Sequence, residues 1–416
     1  MAYSSAPIPT GIDIAIIGAG PHALTLVTHL LQKCQKMQGK FLVFDKSGKW
    51  MSQWFHAFAA LEIPHLRSPA VHHPDPNPYA LRSFAESRPT ELHPPYDLPG
   101  TQLFQDFCLH LINQWQLDRC IVPTQVTRLE PLTQRRRTRF RLWLDNGHSI
   151  LARRVVLATG GGTPNLPDWV SQISTPYPQE RLCHSHDVDL RSLQLTGERV
   201  LIVGGGLTSG HLAVGAVARG AKVLLMARRD FQEKLFDADP GWLGPKYLKE
   251  FWAEADWHNR WQMIQQARNG GSLTPAIMTQ LRRAYHSGKI SLHEQCQIVE
   301  AIWQDNYWQV RCSDGTEHQC VSEAALKAHR IWLATGTKLD VTANSMLSEV
   351  LDVFPTTIVN GLPVLDAHLR WPRCELFVMG GLAALQVGPV ARNLSGARMA
   401  SDRIVPALSK PSLALL

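Results

Sequence analysis

Apolar and polar positions fall into blocks along the chain, and one block layout occurs twice. Residues 12–17 form a short apolar run, which predicts a strand, and Gly18-Ala19-Gly20-Pro21-His22-Ala23 follows at once. Residues 23–31 carry helical spacing, and a second run, Phe41-Leu42-Val43-Phe44, ends on Asp45. Strand, glycine turn, helix, strand and acid make one βαβ unit. Further on, residues 199–203 are again apolar and run into Gly204-Gly205-Gly206-Leu207-Thr208-Ser209. Residues 210–219 are small and helix-compatible, and the strand predicted at 222–226 ends on Ala227-Arg228-Arg229.

Each unit has a similar closing passage. Residues 139–144 alternate, turn at Asp145-Asn146-Gly147 and lead to Val155-Val156-Leu157-Ala158-Thr159-Gly160. Residues 307–312 alternate, turn at Asp314-Gly315-Thr316 and lead to Ile331-Trp332-Leu333-Ala334-Thr335-Gly336. Both closings read as a hairpin-type meander that ends in Leu-Ala-Thr-Gly. Two copies of one architecture predict an α/β protein with two Rossmann-like dinucleotide-binding domains, the second inserted into the first. The expected boundaries are 1–165 and 325–416 for the first domain and 166–324 for the second, with crossings near Gly160 and Gly336.

Three stretches fall outside this repeat. Residues 56–99 are rich in Pro and His and lack a period, so they read as a long loop region. Residues 231–297 read as a helical insertion in the second domain, with Trp242, Trp252, Trp257 and Trp261 packing it or lining a substrate pocket. Near the C-terminus a strand at 376–379 enters Gly380-Gly381, and a helix is expected over 391–404.

Composition narrows the class. With 416 residues and 44% hydrophobic content the chain can bury two or three cores. The net charge of +7 suits an anionic ligand and is too modest to argue for nucleic acid. The basic run at 134–139 reads as a solvated loop. None of the eight cysteines forms a C-x-x-C pair, which speaks against a zinc ribbon or a dithiol redox motif and fits a reduced, cytoplasmic protein. The first residues lack a signal-peptide pattern, and no apolar stretch is long enough for a membrane span. His184-Ser185-His186-Asp187 and His72-His73-Pro74-Asp75 lack a third ligand at helical spacing, so no metal site is expected.

The chemistry follows from the two glycine motifs. In Gly18-x-Gly20-x-x-Ala23 the first glycine permits a tight turn and the second lets the backbone approach a diphosphate. Ala23 lets the helix pack closely. Pro21 and His22 open the helix, whose free N–H groups hold the diphosphate, and Asp45 is placed for ribose hydroxyls. Gly204-x-Gly206-x-x-Ser209, with Thr208, repeats the design, but Arg228 and Arg229 close its second strand. Guanidinium groups there suit a 2′-phosphate, which points to NADPH over NADH. The two sites together suggest FAD and NADPH facing each other, with Thr159, Gly160, Thr335, Gly336, Gly380 and Gly381 completing the cofactor surfaces. Without a dithiol, electrons leave the flavin to oxygen or to a diffusible acceptor.

These residues resemble the class B flavoprotein monooxygenases, and among them the ornithine and lysine N-hydroxylases of siderophore synthesis. Gly18-Ala19-Gly20-Pro21-His22-Ala23-Leu24 matches their G-x-G-P-x-x-L start. Phe44-Asp45, followed by Trp50, Met51 and Trp54-Phe55-His56, is similar to their aromatic flavin segment. Leu66-Arg67-Ser68-Pro69 resembles their L-R-x-P block, and Leu333-Ala334-Thr335-Gly336 their return to the flavin domain. The second glycine motif departs from the family by reading Leu207-Thr208-Ser209-Gly210. In the oxygenase fingerprint F-x-G-x-x-x-H, the His falls on His184 while Pro178 and Glu180 replace Phe and Gly.

The resemblance implies a monooxygenase in which NADPH reduces FAD, oxygen adds at C4a, and the hydroperoxyflavin passes one oxygen atom to a small nucleophile, an amine first of all. Its partners would be O2 and a small-molecule substrate. Trp50 and Trp54 would flank the flavin, and Arg67 and His56 are the candidate groups near its reactive edge. An NAD(P)H:acceptor oxidoreductase, for example with a quinone, is the alternative. A flavin-binding regulatory protein is a third.

Overall fold

The computed structural model describes residues 9–134, 137–160, 162–314 and 326–410. Of the expected features, Arg135 and Arg136 of the basic run, Gly315 and Thr316 of the second turn, and the first eight residues lie outside them.

The first sheet runs in the order Ile121–Val122, Phe41–Phe44, Gly11–Ile17, Ser149–Leu157, Arg137–Leu144, Val126–Gln134, with Leu376–Val378 also on Ser149–Leu157. Ser149–Leu157 shows how sequence sets this topology. Its first half alternates buried and half-buried positions, because Ala152 pairs antiparallel with Phe140 and one face meets solvent. From Arg154 on every position is buried, where Val155 pairs in parallel with Leu376 and both faces are covered. Gly11–Ile17 lies parallel to both Phe41–Phe44 and Ser149–Leu157, so its C-terminal residues are fully enclosed.

The second sheet is wholly parallel, in the order Leu182–His184, Arg330–Leu333, Arg199–Val203, Lys222–Met226, Ile290–His293. An antiparallel meander, Cys296–Gln304, Tyr307–Asp314 and Leu326–Ala328, leads back into it. Thus two sheets with parallel cores, the first extended by antiparallel strands and each with a glycine turn after a central strand, make a mixed α/β fold of two Rossmann-like units.

The stretch 231–297 divides between these units. Helix Pro275–His286 is the crossover between two strands of the second sheet, and Leu273, Ile277 and Leu281 pack on Val200, Ile202 and Leu225. The helices Pro245–Ala253 and Trp257–Arg268 instead send Leu248, Phe251 and Ile264, with Trp242, into the core of the first unit. The stretch closes on two strands, Ile290–His293 and the start of the meander, in place of continuous helix. Residues 56–99, expected as loop, hold two short helices, the end of Ser52–Ala60 and Ala80–Phe84, within largely irregular chain. Among the described residues no helix is long and apolar enough to cross a membrane, and no disulfide is formed.

Candidate functional site

The first glycine turn is built against the end of the neighbouring strand. Gly18 has φ +97°, and a β-carbon there would stand 2.6 Å from the Ala158 carbonyl oxygen. That contact requires glycine. Gly20, by contrast, has no heavy atom within 4 Å of where its β-carbon would be. Pro21 opens helix Pro21–Lys33, where its missing N–H costs nothing, and Ala23 is fully buried. Asp45 fixes the turn: one carboxylate oxygen accepts the Ala19 N–H at 3.1 Å, and the other accepts the N–H and hydroxyl of Ser47.

His22 lies in the same turn and is buried. Its Nε2 faces the Arg392 carbonyl at 3.4 Å, and its Nδ1 has no partner. Burial lowers its pKa to about 4, so the ring is neutral at pH 7. With Nε2–H donating to the carbonyl, Nδ1 presents a lone pair, the partner of a hydroxyl donor. Gly380 (φ +74°) passes beside this ring, and Gly160 (φ +81°) has open space where a side chain would be. Gly20 and Gly160 therefore border free volume near an unpaired acceptor and a helix N-terminus. An FAD with a ribityl chain and a diphosphate fits that combination.

The second turn repeats the plan. Gly204 faces Ala334 as Gly18 faces Ala158, and Gly206 is open like Gly20. The Ser209 hydroxyl donates to the Gly206 carbonyl at 2.7 Å, and Thr208 is exposed at the start of helix Leu207–Ala218. Arg228 stands exposed at the end of its strand. Arg229 donates to Asn269 Oδ1 at 3.1 Å and lies flat over Gly270.

The two crossings between the units are tied together. Thr163–Pro164 pairs antiparallel with Thr337–Lys338, and the Asn165 N–H donates to the Gly336 carbonyl at 2.9 Å. Thr335 returns its hydroxyl to the Asn165 carbonyl at 2.5 Å. His184 Nε2 reaches the same Gly336 carbonyl at 3.1 Å, so this histidine holds a crossing. Thr159 is exposed beside Gly160.

The second turn opens on a cleft of about 1630 Å³, bounded by Gly204, Gly206, Arg228 and Arg229 on one side and by Gly381, Arg392 and Asn393 on the other; Gly18, Gly20 and His22 of the first turn do not line it, and Gly381, next to Gly380, is where it comes nearest to them in the chain. It exceeds a typical small-ligand pocket and has room for two nucleotides facing each other. His56 is exposed at its wall. Arg67 also borders it, but donates to the Lys234, Leu235 and Ser272 carbonyls and to the Ser272 hydroxyl, and lies 3.7 Å from Asp237. Arg67 thus fastens the first unit to the loop before the helical stretch. Trp50 and Trp54 do not border the cleft. Trp50 is buried with its indole N–H on the Leu117 carbonyl, and Trp54 stacks on Phe58 at 4.6 Å. Trp261 lines the cleft, whereas Trp242 packs on Tyr247 and Phe251. His73 is fully buried edge-on against Phe107, and no group of three or more His, Cys, Asp or Glu among the described residues could hold a metal ion.

Residues 15–162 match the family model of an FAD-NAD(P)-binding domain. No curated protein matches the chain in sequence. Among solved structures, an ornithine hydroxylase from Pseudomonas aeruginosa superposes with a TM-score of 0.75 at 14% identity, over 96% of this chain and 98% of that one. An ornithine N-hydroxylase from Kutzneria sp. 744, solved with reduced FAD, NADP+ and L-ornithine, gives 0.76 at 17% identity over 96% and 99%. L-lysine 6-monooxygenase from Pseudomonas syringae gives 0.75 at 16% identity over 96% and 99%. At these identities the likeness shows the fold, which is the two-nucleotide architecture.

Proposed function

We propose that the protein is an FAD-containing, NADPH-dependent monooxygenase that oxygenates a small nucleophilic substrate, first of all an amine. The observation that carries this reading is the pair of glycine turns, each with an open second glycine and its own Ala-Thr-Gly segment, the second of them on a large cleft that Gly381 of the first unit also borders. The domains proposed are 1–165 with 325–416 for FAD and 166–324 for NADPH. The N-hydroxylases that share the fold support the choice of chemistry.

In this reading Gly18, Gly20, Pro21, Ala23 and Asp45 hold the adenosine diphosphate half of FAD, and His22 Nδ1 accepts a hydroxyl of the ribityl chain. Thr159, Gly160, Gly380 and Gly381 leave room for it. Gly204, Gly206, Thr208 and Ser209 seat the NADPH diphosphate, and Arg228, with Arg229 behind it, takes the 2′-phosphate. Thr335 and Gly336 hold the crossings in register so that the nicotinamide faces the flavin. Bound FAD supplies the hydride acceptor and the site at which oxygen is activated. The chain keeps water out: the paired crossings close one end of the cleft, and Arg67 fastens the wall opposite.

A second reading, an NAD(P)H:acceptor oxidoreductase, is favoured by Pro178 and Glu180 standing where the oxygenase fingerprint has Phe and Gly. The two part on one assay. NADPH consumption and hydrogen peroxide release are followed with a panel of amines and with quinones. An oxygenase consumes more NADPH than it releases peroxide when its amine is present. A reductase responds to quinone alone.

A further inference from the structure

A second cavity, of about 310 Å³, opens where the helical stretch packs on the C-terminal part of the first unit. It shares no lining residue with the cleft. Helices Pro245–Ala253 and Trp257–Arg268 give it Trp252, Trp257 and Arg260, and helix Leu394–Leu408 gives it Arg403. Leu365 and Gln386 are buried and form its floor, while Trp252 is 44% exposed at its rim. The volume lies at the small end of ligand pockets, the size for a single-ring molecule.

Two cations face this space without an anion. Arg260 lies over the Trp257 ring at 4.3 Å and directs its donors to the Glu254, Trp252 and Leu385 carbonyls. Arg403 lies over the Trp252 ring at 5.2 Å and makes one hydrogen bond, to the Gln386 carbonyl at 3.1 Å, so most of its fork is free. Asp366, the acidic residue of the lining, is already engaged. One of its oxygens accepts the His368 and Arg370 N–H groups, and the other accepts from the Arg370 guanidinium at 2.9 Å.

The floor adds an unmet acceptor. The Gln386 side-chain amide donates to the Leu365 carbonyl at 3.0 Å, and its Oε1 is buried with no partner. A buried amide oxygen without a donor is costly, and a donor brought by an occupant removes that cost. One free fork calls for one carboxylate, and the indole and leucine walls call for a flat apolar body.

We propose that this cavity binds a small aromatic carboxylate that carries a hydrogen-bond donor. Its carboxylate meets the Arg403 fork beside Arg260, its ring lies among Trp252, Trp257 and Leu365, and its donor reaches Gln386 Oε1. The site stands apart from both glycine turns and does not depend on the cofactor reading.

The test is calorimetric titration of the full-length protein with meta-hydroxybenzoate. Benzoate, which lacks the donor, and meta-hydroxybenzamide, which lacks the charge, are the comparisons. The hydroxybenzoate is expected to bind with a dissociation constant of about 0.1–1 mM. Each comparison compound should bind about 5- to 10-fold more weakly. Arg403→Met should weaken the hydroxybenzoate by about 10-fold and bring it level with the amide, and Arg403→Lys should fall between. Trp252→Ala, at the exposed rim, should weaken all three compounds, and it carries the test if Arg403→Met does not fold. Arg228→Ser, in the cleft, should leave the titration unchanged. No binding to the wild-type protein, or undiminished binding in Arg403→Met and Trp252→Ala, overturns the site. Equal affinity for acid and amide overturns it as a carboxylate site, and binding lost in Arg228→Ser places the compound in the cleft and overturns it too.

Discussion

Gly204 stands against Ala334: a β-carbon on the glycine would lie 2.3 Å from the alanine carbonyl oxygen, at a φ of +147° that side-chain-bearing residues avoid. The turn and the Leu-Ala-Thr-Gly segment are therefore one device, in which a strand end forms the seat on which the nucleotide turn rests. Gly204→Val is expected to abolish reduction of the flavin by NADPH while leaving FAD bound, because the clash is confined to the second unit. Flavin absorbance of the purified variant and its anaerobic titration with NADPH check this. Loss of both cofactors together would contradict it.

Gly18→Val makes the complementary case. The β-carbon would meet the Ala158 carbonyl and distort the first turn. The variant should purify with little flavin but still bind NADPH, as read by nicotinamide fluorescence.

Arg228 is the freer of the two arginines, since Arg229 is occupied with Asn269 and Gly270. Arg228→Ser should raise the KM for NADPH by about 10- to 100-fold and leave that for NADH nearly unchanged. Steady-state reduction with each nucleotide measures the ratio.

His22, His72, His73 and His211 all have pKa values lowered by burial to about 4. Above pH 6.5 each is neutral in both folded and unfolded chain. As pH falls below that, the unfolded chain binds protons that the folded chain refuses until about pH 4. Stability should therefore be full above pH 6.5 and decline on acidification between 6.5 and 4. Counting the most buried pair, His22 and His73, the loss is on the order of 1–3 kcal/mol per pH unit near pH 5. Urea midpoints across this range test it, and His73→Gln should flatten the slope.

Arg67→Met removes donors from three carbonyls and leaves Asp237 paired with Arg268. We expect a loss of roughly 1–3 kcal/mol in unfolding free energy. Flavin reduction per bound FAD should change by less than the ~100-fold that an acid–base group would cost.

The repeat was the most legible part of the chain. Strands at 199–203 and 222–226 and both glycine turns sit where the apolar runs place them, since a parallel strand buried on both faces must read as an unbroken run. The stretch 231–297 was not legible. An amphipathic helix shows that it has an apolar face but not which core receives it, so Phe251 and Ile277 read alike and pack into different units. Trp50 and Trp54 illustrate the same limit, because an aromatic residue near a motif suits a core as well as a flavin.

The most direct test of the account is to reduce the purified flavoprotein anaerobically with NADPH and then admit oxygen while following flavin absorbance and hydrogen peroxide. The account predicts complete reduction, followed by reoxidation that NADP+ slows, with less peroxide than NADPH consumed once an amine substrate is present. Immediate reoxidation with one peroxide per NADPH, unaffected by NADP+ or by any amine, would contradict it.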